Sequence, residues 1–178
     1  MGCLLWLTQL LCLLFFHFHF QATSSLSLSC NTSISLELCQ LEQNHALLQF
    51  KNSFSITSSA SFDYPPYAHY PKTDSWEEGT DCCSWDGVTC DLQTGYVIGL
   101  DLSSSMLFGT FHSDNSFFLL SHLQNLDLSN NDFNHSNILS QFSELWNLRY
   151  PNLNFCVFTG LVPLGITYLS SLVSLDIS

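Results

Sequence analysis

The sequence predicts an α/β fold, a solenoid with short parallel strands along its concave face and a helical, disulfide-linked cap at its N-terminus. Three observations lead to this fold class. Leucines recur with one spacing from residue 97 onward, a cysteine-rich stretch precedes them, and an apolar leader opens the chain. These features divide the chain into residues 1–24, 25–96 and 97–178.

The repeats start at residues 97, 123, 148 and 172, with the strings VIGLDLSSSMLF, LQNLDLSNNDF, LRYPNLNFCVF and LVSLDIS. Successive starts lie 26, 25 and 24 residues apart. A period of this length with the pattern L-x-x-L-x-L-x-x-(N/C)-x-L is the leucine-rich-repeat signature. Residues 97–178 therefore hold three complete copies and the start of a fourth, and we expect a leucine-rich-repeat solenoid that is truncated at its C-terminus.

Each copy carries a short strand in which apolar and polar residues alternate. Leu126 and Leu128 are predicted to face inward and Asp127 outward, because neighbouring side chains of a strand point to opposite faces. A single coil cannot bury its own leucines, so stacked coils must share one core and one parallel sheet. The equivalent inward positions of the first and fourth copies are Leu100, Leu102, Leu175 and Ile177.

Three positions of the repeat have particular consequences. Asn131 is predicted to bond buried backbone groups of its turn and of the next coil. Ser105 and Cys156 occupy the equivalent positions, and we expect Cys156 to be a buried, reduced thiol, with a disulfide or reactive role as the alternative. Pro151 replaces the first strand leucine of the third copy and lacks an N–H group, which predicts a weakened or distorted coil.

Residues 25–96 contain no repeat and are predicted to cap the open end of the solenoid. Leu47, Phe50 and Phe54 recur at helical spacing with Ala46 beside them, which predicts an amphipathic helix within residues 41–54. Residues 55–76 are rich in Ser, Tyr and Pro and are predicted to form an irregular loop.

The stretch DCCSWDGVTC places three cysteines around an Asp-Gly turn immediately before the first repeat. A bond between the adjacent Cys82 and Cys83 would strain the peptide that links them. We predict a Cys39–Cys82 disulfide that ties the helix to the cap and a Cys83–Cys90 disulfide across the Asp-Gly turn, as an oxidising compartment allows. A zinc site is the alternative, although no C-x2-C pair is present. Cys30 is left without an obvious partner.

Residues 1–24 have the pattern of a secretory signal peptide, an apolar run followed by small polar residues, with an uncleaved anchor as the alternative. Two sequons make Asn31 and Asn134 candidate glycosylation sites. The chain has 15 acidic residues against 3 Lys and Arg, so nucleic acid is a poor partner. It contains no G-x-S-x-G or H-E-x-x-H string, and we expect no cofactor, no metal and no enzyme activity.

The strings HALLQFKNSFSI, DSWEEGTDCCSWDGVTCD and TGYVIGLDLSSSMLFGTF resemble the N-terminal cap and first repeats of plant leucine-rich-repeat receptor-like proteins of the disease-resistance kind. The string FTGLVP of the third copy is similar to the plant-specific G-x-(I/V)-P extension, which builds a second structured edge on the coil. The resemblance implies a cell-surface receptor that binds a peptide or protein ligand outside the cell and signals through partner receptor kinases. Membrane attachment would then need a C-terminal transmembrane helix in a longer form, whereas a complete short form would be secreted.

The candidate ligand face consists of outward strand residues on the concave side, although such residues are often only solvated. Two other functions stay open: a secreted inhibitor of a cell-wall-degrading hydrolase, and a truncated product without independent activity. A transmembrane span beyond residue 178 would favour the receptor, and a cysteine cap would favour the inhibitor.

The candidate ligand face has one column of Asp101, Asp127, Asn152 and Asp176, with Gln124, Asn125, Arg149 and Tyr150 beside it.

Overall fold

The leucine repeats stack around one shared interior in the structure, a computed structural model that describes residues 38–62, 69–138 and 140–177. The predicted signal peptide, Cys30 and Asn31 lie outside these residues. The inward leucines Leu102, Leu128 and Leu153 are all buried in one apolar cluster. The predicted fold class is confirmed: an α/β leucine-rich-repeat solenoid follows a helical, disulfide-linked cap.

The helix α1 spans Leu41–Asn52, within the range that the sequence predicted. Its apolar face buries Ala46, Leu47 and Phe50 against the first coil. Two polar residues of α1 are also buried, and each has a partner beyond the helix. The Val97 N–H donates to Gln43 Oε1 at 2.7 Å, and the Asn44 amide donates to the Thr80 carbonyl at 2.8 Å. These bonds join the helix to the first repeat and to the turn before the cysteines.

The main sheet has four strands in the order β2, β3, β5, β6. Strands β3 (Val97–Asp101), β5 (Asn125–Asp127) and β6 (Tyr150–Asn152) come from successive repeats and run parallel. Strand β2 (Val88–Cys90) comes from the cap and pairs antiparallel with β3. The sequence did not predict β2. This strand covers the edge of the sheet that the first repeat would otherwise leave open.

A second, smaller sheet lies along another side of the coils. Strand β1 (Ser55–Ile56) pairs antiparallel with β4 (Leu107–Phe108) of the first repeat. Isolated bridges join Phe108 to Asp132 and Asn137 to Thr159 in the following coils. The prediction of an irregular loop is therefore wrong at Ser55–Ile56, because a pairing with a distant strand makes these residues extended. Short 3₁₀ helices complete the cap and coils: Ser58–Ala60, Lys72–Ser75, Cys82–Ser84, Ser116–Leu119, Ser140–Glu144 and Leu164–Tyr168.

Phenylalanine rings fill the interior behind the strand leucines. Phe111 is central, with ring centroids of Phe50 at 5.9 Å, Phe117 at 5.6 Å and Phe133 at 5.4 Å. Such tilted and edge-on ring pairs each contribute about 0.5–1.5 kcal/mol beyond the burial of their area. Because Phe50 belongs to α1 and the other three rings to the repeats, this cluster fuses the cap with the solenoid core.

Asn131 is fully buried and satisfies backbone groups of two coils. Its amide nitrogen donates to the carbonyls of Leu128 and Leu102, both at 2.8 Å, and its oxygen accepts from the Leu107 N–H at 3.0 Å. Leu102 and Leu107 belong to the preceding coil, whereas the sequence-based prediction named the next one. The Asn131 side chain points towards the preceding coil, and for this reason its partners beyond its own turn belong to that coil.

The other two copies hold weaker donors at the position of Asn131. In the first copy, the Ser105 hydroxyl makes one long bond, to the Ser103 carbonyl at 3.4 Å. In the third copy, the Cys156 thiol lies 3.0 Å from the Leu128 carbonyl and is free and buried. Burial raises the pKa of Cys156, and the nearby Asp127 carboxylate adds to this, so the thiol stays protonated.

Strand β6 forms in register despite Pro151, which pairs with Leu126 of β5. The two backbone groups of a strand residue face the same neighbour, and the Pro151 carbonyl accepts from the Asp176 N–H at 3.1 Å. The missing donor of Pro151 therefore faces the fourth coil, and the pairing of β6 with β5 loses no bond. On the fourth-coil side, an isolated bridge joins Asn152 to Asp176, and the Leu153 N–H donates to the Asp176 carbonyl at 2.7 Å.

Leu175 and Ile177 of the fourth copy turn towards the third coil, as the sequence predicted, but they are less buried than their counterparts. Leu175 is half-buried and Ile177 remains 43% exposed. The corresponding Leu100 and Leu102 of the first copy are buried between two neighbouring layers. The side chain of Ile177 lines a shallow pocket with Leu153 and Cys156 of the third coil.

The cap disulfides are those that the sequence predicted, Cys39–Cys82 and Cys83–Cys90, each with its Cα atoms 5.5 Å apart. Asp81 completes a compact group with three of these sulfurs, within 4.8 Å of one another. Because each sulfur is already bonded to another, this group has no thiolate to offer a metal ion.

Asp81 links the start of the described chain to the cysteine turn. Its carboxylate accepts from the backbone N–H groups of Leu38 at 2.9 Å, Cys39 at 3.1 Å and Cys83 at 3.0 Å. Partial burial would raise the pKa of Asp81, but these three bonds outweigh it and hold the pKa below its ordinary value. The charged carboxylate thus stabilises the cap.

We expect Asn131→Ala to lower the free energy of unfolding by about 3 kcal/mol, because it leaves buried groups of Leu102 and Leu107 without partners. Ser105→Ala at the equivalent position of the first copy should cost under about 1 kcal/mol, since it removes one long bond. Urea denaturation of the oxidised chain measures both. Equal losses for the two variants would contradict the role given to Asn131.

We expect Asp81→Asn to destabilise the oxidised chain by about 1–2 kcal/mol at pH 7, because hydrogen bonds to a charged acceptor weaken. Because folding lowers the pKa of Asp81, its carboxylate adds stability at pH values above the unfolded-state pKa, about 3.9. This added stability disappears as the pH falls through the folded-state pKa. The difference between wild type and variant should therefore shrink in urea titrations below about pH 4. The exposed Asp74→Asn is the control, and a difference that persists unchanged at acidic pH would refute this role.

Candidate functional site

Two rows of side chains cross the concave face of the main sheet. The strand register aligns Thr89, Gly99, Asn125 and Tyr150 in the first row. The second row aligns Asp101, Asp127 and Asn152, and the bridge from Asn152 extends it to Asp176. Side chains of the two rows leave the same face because every second strand residue does so, while the leucines between them point into the core.

The two rows border a shallow open groove of about 350 Å³. Of the eight residues predicted for the ligand face, five line this groove together with four residues that the sequence did not single out for it. The predicted five are Asp101, Asn125, Asp127, Tyr150 and Asn152, and the other four are Thr89, Gly99, Leu100 and Leu126.

The three remaining predicted residues flank the groove and do not line it. Gln124 and Arg149 precede the strands β5 and β6, and the Arg149 guanidinium lies over the Tyr150 ring at 5.7 Å from its centroid. Asp176 lies beside Asn152 in the fourth coil. The structure therefore brings five of the eight predicted residues together in the groove and places these three at its margins.

The polar residues of the second row also organise the turns that follow their strands. Asp127 Oδ1 accepts from the Ser129 N–H at 2.9 Å and from the Ser129 hydroxyl at 2.6 Å. Asp101 does the same with Ser103, at 3.0 and 2.7 Å. Across strands, the Asn152 amide donates to Asp127 Oδ2 at 3.0 Å. These bonds fix the side chains in place, so the face of the groove is preorganised.

Lys72 adds a cation to this face from outside the repeats. Its ammonium lies 2.8 Å from Asp101 Oδ1 and 3.2 Å from the Ser103 hydroxyl. Burial would raise the pKa of Asp101, but the bonds from Lys72 and Ser103 outweigh it and keep the pKa low. Lys72 belongs to the predicted loop, where no periodicity indicates a neighbour, so the sequence held no signal for this contact.

The Asp-Gly turn before β2 sets one end of the groove. Gly87 has a φ of +78°, and its carbonyl accepts from the Asp101 N–H at 2.8 Å. An added Cβ would collide with the Asp101 carbonyl. Thr89 follows on β2 opposite Gly99. The sequence predicted the turn, and the alternation of VIGLD could have placed Gly99 on this face.

The candidate glycosylation site Asn134 lies in a turn away from the groove. Asn134 is exposed, whereas the sequon residue Ser136 is buried and accepts from the Phe111 N–H at 2.8 Å. The other candidate, Asn31, lies outside the described residues.

The family described as the leucine rich repeat N-terminal domain matches residues 41–91, inside the predicted cap. Receptor-like protein 6 of Arabidopsis thaliana is 42% identical over 151 residues, which are 82% of this chain and 15% of that protein. Receptor-like protein 9DC1 of Solanum pimpinellifolium is 47% identical over 141 residues, which are 76% of this chain and 16% of that protein. The chain thus spans less than a fifth of the length of these relatives.

Solved structures share the fold. The crystal structure of a plant ice-binding protein is 30% identical with a TM-score of 0.60, over 78% of this chain and 40% of that chain. The crystal structure of the BIR3–SERK2 complex from Arabidopsis thaliana is 25% identical with a TM-score of 0.53, over 74% of this chain and 65% of that chain.

Among the residues that the structure describes, every helix is too short or too polar to cross a lipid bilayer. The matches to the cap and to the repeats agree with the disulfides, the stacked coils and the shared leucine core described above. The chain therefore belongs to the leucine-rich-repeat proteins, and its cap and first repeats are similar to those of the plant receptor-like proteins, as its sequence predicted.

Proposed function

We propose that the chain is an extracellular recognition module of a cell-surface immune receptor-like protein, which binds a peptide or protein ligand and signals through partner receptor kinases. The observation that carries this proposal is the groove formed by the two polar rows on the concave face. The similarity to receptor-like proteins supports the receptor role. The proposal assigns the chain recognition and not catalysis.

The groove suits recognition because its side chains stand on a rigid support. Strands β3, β5 and β6 are backed by buried leucines, and the Cys83–Cys90 disulfide links β2 to the short helix before it in the cap. Asp101, Asp127 and Asn152 are held by the turns that they organise. Binding then requires little ordering of the face, which lowers its entropic cost.

Tyr150 is the strongest candidate for an anchor residue. Its side chain is 45% exposed and lines the groove, and Arg149 lies over its ring. Tyr and Arg are enriched among the few residues that dominate binding energies at protein interfaces. An exposed aromatic ring in a preorganised polar groove offers contact area together with a hydroxyl group.

Several features support an extracellular location. The two disulfides of the cap persist in oxidising compartments, and the cap depends on them. The exposed Asn134 sequon and the predicted signal peptide, residues 1–24, agree with passage through the secretory pathway. The proposal of a signalling partner rests on the resemblance to receptor-like proteins, and a structural neighbour was solved as a complex of BIR3 with SERK2.

We expect the oxidised chain to enrich peptides from a random library displayed on phage. Tyr150→Ala should lower the affinity for the selected peptides by about tenfold or more, as truncation of a typical anchor residue does. Tyr168→Ala is the matched control, because Tyr168 is 81% exposed and lies outside the groove. Biolayer interferometry measures both affinities. Failure to enrich any peptide over an unrelated secreted protein would count against the proposed function, as would equal effects of the two variants.

We expect the chain to be glycosylated at Asn134 when plant leaf cells secrete it. Asn134→Gln should remove one glycan, seen as a step in electrophoretic mobility that endoglycosidase treatment abolishes, while folding is kept. Ser136→Ala would be a poor substitute because Ser136 also bonds Phe111 in the interior. A chain found reduced and unmodified in the cytosol would contradict the secretory location.

A further inference from the structure

More carboxylates than cationic side chains lie around the groove. Three carboxylates belong to the second row, those of Asp101, Asp127 and Asp176. Two cations lie nearby, Lys72 and Arg149. Lys72 forms a salt bridge with Asp101, and Arg149 lies over Tyr150 at the margin.

Asp127 is the carboxylate at the centre of the groove, and its hydrogen-bond partners are neutral. Ser129 donates to Oδ1 through its N–H and hydroxyl, and the Asn152 amide donates to Oδ2. Within the described ranges, no Lys or Arg nitrogen forms a salt bridge with Asp127. These bonds orient the carboxylate without neutralising its charge, so a half-buried negative charge remains on the groove wall.

The groove beside this charge has a partly apolar lining. Gly99 lies in the first row between Thr89 and Asn125, and the Thr89 side chain fills part of the space that a side chain at Gly99 would take, with its Cβ 3.1 Å from the position of a Gly99 Cβ. Leu100 and Leu126 contribute apolar surface to the lining, and Tyr150 contributes an aromatic ring. Long basic side chains bury their methylene stems along such apolar surface while the charged head meets a carboxylate.

We infer that the groove binds a peptide through a basic side chain, lysine or arginine, whose cationic group pairs with Asp127 beside Tyr150. This inference rests on the proposed function and names the class of its ligand. The exposed Asn125 in the first row offers an amide group for the peptide backbone. The net charge of −12 attracts cationic peptides from solution and raises their association rate.

The experiment compares peptides selected by the oxidised chain from the random library with those selected by Asp127→Asn. Wild type should select peptides that share a Lys or Arg, and Asp127→Asn should lower the affinity for these peptides by about tenfold. Asp114→Asn removes the same charge at an exposed position outside the groove and should leave the affinities unchanged. Far-UV circular dichroism and thermal melting establish that both variants fold.

A double-mutant cycle isolates the contact. Replacing the shared basic residue of a selected peptide by Gln should lower its affinity for the wild type about tenfold and its affinity for Asp127→Asn little. A general loss of charge does not produce such coupling between the two substitutions. As a second variant, Asn125→Asp adds a carboxylate to the first row and should strengthen binding of the basic peptides.

The outcomes separate the two proposals. Selected peptides without a common basic residue, or equal weakening by Asp127→Asn and Asp114→Asn, would overturn the inference and leave the proposed function standing. A library that yields no peptide binding to wild type would contradict both the proposed function and this inference. Coupling between the basic residue and Asp127 would establish the contact.

Discussion

No repeat in this chain can bury its own leucines, and the rest of the structure depends on that constraint. Each coil turns two strand residues inward, where they meet the residues of the coils before and after it. Leu128 is fully buried because it lies between Leu102 and Leu153. The same stacking aligns the outward residues of successive strands. Core and recognition face are therefore two consequences of one packing arrangement.

A stack of coils needs a closed first layer, and the cap supplies it through several kinds of contact. Helix α1 contributes Phe50 to the phenylalanine cluster, and β2 pairs with the open edge of β3. The disulfides and the Asp81 carboxylate then hold the cysteine turn against the chain before α1. Because the cap also delivers Thr89 and Lys72 to the concave side, it completes the groove as well as the core.

Fold alone does not determine what the concave face does. Structures with TM-scores of 0.60 and 0.53 to this chain include an ice-binding protein and the BIR3–SERK2 complex. Proteins that share a scaffold differ in the side chains that the scaffold presents. Here those side chains form an acidic and amide-rich groove next to an exposed tyrosine, on a chain with an acidic balance. The proposed ligand class follows from this surface and not from the solenoid.

The sequence by itself determined the repeat, the inward leucines and the column that includes Asp101 and Asp127, because these depend on spacing along the chain and on the alternation of a strand. It also excluded a bond between the adjacent Cys82 and Cys83, and the structure confirmed the proposed pairing of the four cap cysteines. Only the tertiary structure decided the pairing of β1 with β4, the backward reach of Asn131 and the contact of Lys72 with Asp101. These contacts join distant segments that have no shared period, so their partners are set by packing in three dimensions. For the same reason, the sequence showed an outward column, but only the assembled sheet made it a groove.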